Sequence, residues 1–169
     1  NNPNTLIFLV NTYRHFCDED YYSLIEYKNC VIGFSYSKSW GLAGARLGLI
    51  HGHGDTIHQI TKIRPTMSVS SITLRLAEYL HNNYYIVERS IQRNIEGIHY
   101  AHTYFSDCKI YSKPTLNHIV FDPTDEIINK LDSCNILYGK ANEFSDTAIR
   151  LTTLPVDQFE KLLCSNTSK

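Results

Sequence analysis

The sequence predicts a mixed α/β fold in two parts, and three observations carry that expectation. Three short apolar runs in the N-terminal region, residues 6–10, 31–34 and 47–50, have the length and composition of buried strands. From Met67 onward the apolar residues recur at helical spacing as far as Phe105. Beyond Lys109 the pattern becomes strand, strand, helix, strand, strand, helix, the order of an α+β unit.

Taken in order, Asn1-Asn2-Pro3-Asn4-Thr5 is a turn, followed at once by the strand 6–10. Residues 18–27 read as a helix with Asp18 as N-cap, acids in the first turn and Asn29 at its end. Strand 31–34 enters a polar loop, and strand 46–50 leaves it. Asp55 starts a helix to about Ile63, broken by Arg64-Pro65. A helix over 68–81 sets Val69, Ile72, Leu76 and Leu80 on one face. The next, 84–105, carries Ile86, Ile91, Ile95 and Ile98, with Glu88, Arg89, Arg93 and Glu96 as a solvated face. Strands are expected at 109–111, 117–121, 136–138 and 148–151. Pro123 sits in the first turn of a helix 123–133, and a helix 155–163 closes the chain. The boundary between the parts is placed near Arg64, giving 1–64 and 65–169.

The 169 residues are 43% hydrophobic and 20% charged, with a net charge of −1. No basic excess points to nucleic acid. No apolar run approaches the length that spans a membrane, and no secretory leader is visible. Five cysteines, without a CxxC pair, read as reduced thiols of a cytoplasmic protein. His51-Gly52-His53-Gly54 reads as a solvated strand end, since no acid or thiol cluster completes a ligand set, and no metal is assigned.

The chemistry lies in Ser35-Tyr36-Ser37-Lys38-Ser39-Trp40-Gly41-Leu42-Ala43-Gly44-Ala45-Arg46-Leu47-Gly48. Hydroxyls and a guanidinium bind phosphate, and glycines let a backbone approach an anion closely. The lysine among them is a candidate carbonyl-reactive amine. This segment closely resembles the lysine motif of fold-type I pyridoxal-phosphate (PLP) aminotransferases, S-x-S-K-x-x-G-L-x-G-x-R-x-G, and every fixed position matches. The similarity is to the histidinol-phosphate aminotransferase branch.

The resemblance covers nearly the whole chain and corresponds to the C-terminal half of a complete enzyme. It implies the end of the large-domain sheet followed by an α+β small domain. It implies that Lys38 carries PLP, that Ser35, Ser37 and Arg46 clamp its phosphate, and that Tyr13 bonds the phenolic oxygen of the ring. Asn2 matches the asparagine of the family's N-N-P-T-G segment, which bonds the same oxygen. The family has a helix between that segment and its next strand, so this match reads either as a lost helix or as an Asn-rich turn. Arg150, in Ile149-Arg150-Leu151-Thr152, matches the arginine that holds the substrate carboxylate, and Asn117 matches a substrate-side asparagine. Two slots depart from the pattern. Counting back from Tyr13, Val10 stands where the family has the aspartate that pairs with the pyridine nitrogen, and a one-residue slip would put Asn11 there. Gly139 stands in an arginine slot associated with the substrate phosphate.

The leading expectation is therefore a PLP-dependent aminotransferase, transferring an amino group between an amino acid or amine and a 2-oxo acid, truncated and of low activity alone. The resemblance implies a homodimer or a complementing N-terminal half, with no nucleic acid or membrane partner. A PLP decarboxylase or lyase would use the same constellation. A non-catalytic remnant of the same fold is the reading from another class, and an unrelated small α/β binding module is the third.

Overall fold

The computed structural model describes residues 4–17, 20–66 and 68–164. The sequence-assigned Asn2 and Asp18 lie outside the described residues. The chain divides into two compact units, Asn1–Glu88 and Arg89–Lys169.

The first unit is built on a three-stranded sheet of β1 (Ile7–Val10), β2 (Cys30–Ser35) and β3 (Gly48–Gly52), in that spatial order. β1 runs parallel to β2, and β3 runs antiparallel to it. The central strand is the buried one, with Cys30, Val31 and Ile32 all covered, whereas the equally apolar β1 is largely exposed. A parallel pair needs a crossover, and here two short 3-10 helices supply it, Arg14–Phe16 and Tyr22–Glu26. Over residues 20–27, the described part of the α-helix expected over 18–27, a tighter turn stands instead. The Asp20 carboxylate accepts the Tyr22 N–H at 2.9 Å, and the Tyr27 N–H closes on the Leu24 carbonyl at 3.2 Å, three residues back.

Helix α1 (Gly54–Lys62) is capped by His53, whose Nδ1 accepts the Asp55 N–H at 3.3 Å. His51 packs edge-on to Tyr22. Helix α2 (Ser71–Asn82) is capped by the Ser70 hydroxyl, which accepts the Thr73 N–H at 3.1 Å. Its buried residues are Thr73 and Ala77, whereas Ile72 is 81% exposed. The apolar stripe expected from the sequence is not the face this unit buries. Helix α3 (Tyr84–Tyr104) buries Ile91 and Ile98 as the periodicity predicts. The unit division falls within it, after Glu88, whereas the sequence places its boundary at Arg64, just past α1.

The second unit has four antiparallel strands, β4 (Lys109–Ile110), β5 (His118–Asp122), β6 (Gly139–Lys140) and β7 (Ile149–Thr152), in the order β4-β5-β7-β6. Helices α4 (Asp125–Ser133) and α5 (Val156–Cys164) join the end of α3 around one core. At its centre Phe105 stacks on Phe121, ring centroids 4.4 Å apart. The expected strand over 136–138 does not form. α4 ends with Asn135 in the left-handed region (φ 53), and the Ile136 N–H returns to the Leu131 carbonyl at 2.9 Å. That closing bond consumes the donor a strand would need, so pairing starts only at Gly139. Among the described residues no helix is long and apolar enough to cross a membrane.

Candidate functional site

β2 delivers the chain into the lysine loop, and β3 carries it away. The loop closes on itself through backbone bonds. The Tyr36 N–H donates to the Leu47 carbonyl (3.2 Å), Leu42 to Tyr36 (3.0 Å), and Gly41 to Lys38 (3.0 Å). Gly41 has φ 69, a conformation that costs glycine nothing and other residues dearly. Lys38 is exposed, and its Nζ lies 5.6 Å from the centroid of the Tyr13 ring. The Ser37 N–H donates to Ser35 Oγ at 3.1 Å. A 3-10 turn, Ala43–Ala45, leads to Arg46, which is left-handed at φ 51 and donates to the Ala43 carbonyl at 3.0 Å. Among the described residues no hydrogen bond joins Arg46 to Ser35 or Ser37, and neither Lys38 nor Arg46 has a carboxylate at ion-pair distance.

Three contacts around this loop escape sequence reading. Tyr36 and Trp40, both buried, pack against each other and against His81, and the Tyr36 hydroxyl lies 2.8 Å from His81 Nε2. Burial pushes the Tyr36 phenol up from its usual range. On the other side His15 Nδ1 meets Ser39 Oγ at 2.7 Å. At the base the Thr73 hydroxyl donates to the Ala45 carbonyl at 3.2 Å, beside Arg46. All three bridge positions far apart in sequence, and no spacing rule pairs a histidine after β1 with the serine after the lysine.

Val10 pairs with Gly33 in the β1–β2 ladder and is 66% exposed. With Thr12 and Ser35 it lines a concavity of about 540 Å³ floored by Phe8, Leu49 and Ile50. Asn11 lines a separate small recess with Arg14, Tyr22 and His51. The side chain sharing a surface with Ser35 is therefore the aliphatic one.

Arg150 and Asn117 belong to the second unit. Arg150 is an exposed position of β7, opposite Val120 on one side and Gly139 on the other. A Cβ at Gly139 would lie 3.9 Å from an Arg150 guanidinium nitrogen. Asn117 precedes β5, and its carbonyl accepts the Thr153 N–H at 3.1 Å, which ties the start of β5 to the end of β7.

The sequence family described as aminotransferase class I and II matches residues 1–111, a span that includes the whole lysine loop. The chain belongs to this family. Among the class I and II aminotransferases, a histidinol-phosphate aminotransferase from Caldicellulosiruptor saccharolyticus is 25% identical over 162 residues, covering 89% of this chain and 45% of that protein. One from Methanopyrus kandleri is 30% identical over 98 residues, covering 57% and 25%. The crystal structure of histidinol-phosphate aminotransferase from Sinorhizobium meliloti in complex with pyridoxal-5'-phosphate matches 97% of this chain and 48% of its own, with TM-score 0.79 and 21% identity. L-threonine-O-3-phosphate decarboxylase from Porphyromonas gingivalis has the same fold at TM-score 0.66 and 21% identity. The architecture is that of fold-type I PLP-dependent aminotransferases, and the chain spans less than half the length of the aminotransferases just named.

Proposed function

We propose that this chain carries the cofactor-anchoring residues of a PLP-dependent aminotransferase acting between an amino acid or amine and a 2-oxo acid. The observation that carries the reading is Lys38, an exposed amine on a closed loop, facing the Tyr13 ring and without an acidic partner among the described residues. The donor set suits two ends of PLP. Lys38 suits its aldehyde carbon, and the hydroxyls of Ser35 and Ser37 with the Arg46 guanidinium suit its phosphate. It does not suit the ring nitrogen, where Val10, or Asn11 on a one-residue slip, offers no carboxylate.

When bound, PLP supplies an electron sink that lets the substrate's α-proton leave. Lys38 Nζ anchors the cofactor and, once released, moves a proton at the substrate α-carbon. Ser35, Ser37 and Arg46 hold the phosphate, and Tyr13 bonds the phenolic oxygen. Arg150 takes the substrate carboxylate as a bidentate pair, helped by Asn117. We read the protein as cytoplasmic, acting as a homodimer or with a complementing N-terminal half.

The test is titration with PLP, followed by borohydride reduction and peptide mapping. Label concentrated on Lys38, and lost in Lys38→Ala, supports the reading. Label spread over the lysines according to exposure overturns it. The exposed Val10 favours a second reading, a member of the fold that holds PLP and turns over little. Single-turnover transamination by the 169-residue chain separates the two.

A further inference from the structure

The 3-10 helix Arg14–Phe16 begins directly after Tyr13, and its middle residue is His15. Ser39 directly follows Lys38 and is 1% exposed. His15 Nδ1 and Ser39 Oγ are 2.7 Å apart, and the His15 ring stands edge-on to Phe34, centroids 5.5 Å apart. Burial, and then the neighbouring Arg14 charge, lower the His15 pKa from 6.5. A neutral ring protonated on Nε2 presents Nδ1 as the acceptor for the Ser39 hydroxyl. A serine so deeply buried needs such a partner, since an unpaired hydroxyl in that position is costly.

The two residues so joined flank the two functional candidates. His15 is two positions from Tyr13, and Ser39 is one from Lys38. We propose that the His15–Ser39 hydrogen bond is a positioning device, fixing the lysine loop against the segment after β1 so that Lys38 Nζ stays over the Tyr13 ring. His15 is a positioning residue, acting through Ser39 on the place from which Lys38 extends. Lysine has a long and mobile side chain, so its reach is set by how firmly its backbone is held. Neither the lysine motif nor the phosphate-binding residues require this bond. The catalytic meaning of the device rests on the PLP reading, whereas the geometric claim does not.

The experiment uses the 169-residue chain without cofactor. Lysines are reductively methylated with ¹³C-formaldehyde, which keeps their charge, and the Lys38 signal is assigned with Lys38→Arg. In the wild type the Lys38 methyl resonance should lie upfield of the solvent-exposed lysines, displaced by the Tyr13 ring current. Tyr13→Leu should abolish that displacement. Ser39→Ala and His15→Phe should each remove at least half of it, and the double variant should remove no more than the larger single one. His15→Asn, which can place an amide group near the Nδ1 position, should retain most of it. The proposal is overturned if Ser39→Ala keeps the full displacement while Tyr13→Leu loses it. It is equally overturned if the wild-type signal is undisplaced, or if His15→Asn behaves as His15→Phe. Circular dichroism monitors folding. Ser39→Ala removes one oxygen and adds nothing, so it decides the matter should His15→Phe fail to fold. Because no PLP is added, failure to bind the cofactor leaves this readout intact, and a positive result here does not vouch for PLP binding.

Discussion

A protonated ring nitrogen beside an aliphatic side chain has no counter-charge, and Val10 provides only methyl groups on the surface it shares with Ser35. Fixed charges placed where a reaction develops charge are commonly worth a hundredfold or more in rate. Val10→Asp should therefore raise single-turnover transamination by roughly a hundredfold, read as cofactor absorbance change with a panel of amino acids. A flat response there, with a rise in Asn11→Asp, would move the acid slot to Asn11. A second residue-scale case is Asp122. Its carboxylate accepts hydroxyl bonds from Ser145, Tyr111 (2.6 Å) and Thr147 (2.8 Å). The Ser145 bond first, then that of Tyr111, hold its pKa below the ordinary 3.8. A depressed folded-state pKa means that this stabilisation is fully present above the unfolded value and is lost as pH falls through the folded one, so the loss lies below about pH 3.8. Ser145→Ala should move the Asp122 titration upward, toward the ordinary value, in a carboxylate NMR titration. An unchanged midpoint would show that Ser145 is not the main partner. At this scale one dense motif in the sequence marks Lys38, Ser35 and Arg46 as candidates. It was silent on His15, Ser39 and His81, because their pairings are made by the fold and leave no spacing to read.

Among the elements, Gly97 in α3 has an outsized role. A Cβ there would stand 1.9 Å from the Leu154 carbonyl oxygen and 2.7 Å from its carbon. Helix propensity alone would favour alanine over glycine by about 1 kcal/mol. The clash is with backbone, which cannot swing aside, and overpacking of that kind typically costs about 1–3 kcal/mol, sometimes more. Gly97→Ala should therefore be destabilising by about 2 kcal/mol in urea unfolding, and a stabilised variant would mean that the 154–155 segment yields easily. In α2, Ser70→Ala removes the cap and should cost about 1 kcal/mol. It also frees Thr73, whose hydroxyl holds the Ala45 carbonyl next to Arg46. The long α3 was legible because its period persists over many turns. The order of strands and helices after it was legible for the same reason of alternation. What failed to show were the turn chemistry at Asn135, the 3-10 crossover, and which face of α2 is covered. Thr73 and Ala77 are small residues that allow close approach, a quality that an apolar count does not register.

For the molecule as a whole, the first unit leaves Leu6, Ile7, Phe8 and Val10 more than half exposed, with the concavity of about 540 Å³ beside them. Exposed apolar surface on an edge strand invites association. The 169-residue chain should sediment as a concentration-dependent mixture, and Ile7→Lys should shift it toward monomer. A chain that stays monomeric at high concentration would show that this surface is too small or too twisted to pair. The alternation of elements, read together with one motif, was enough to place the chain among fold-type I aminotransferases. That some apolar surface stays exposed follows from the same resemblance, which matches only the C-terminal half of the family's enzymes; which strand carries it was not legible, because apolar runs say what wants to be buried and not whether anything covers it. One further property follows from Trp40. It is the sole tryptophan of the chain, 8% exposed, two residues beyond Lys38. Its fluorescence is thus a built-in lamp at the lysine loop, belonging to the first unit alone, whereas far-ultraviolet dichroism sums the helices of both. Melting curves from the two signals will coincide if the units unfold together and separate if each has its own transition, so an unlabelled protein reports whether it behaves as one cooperative body or two.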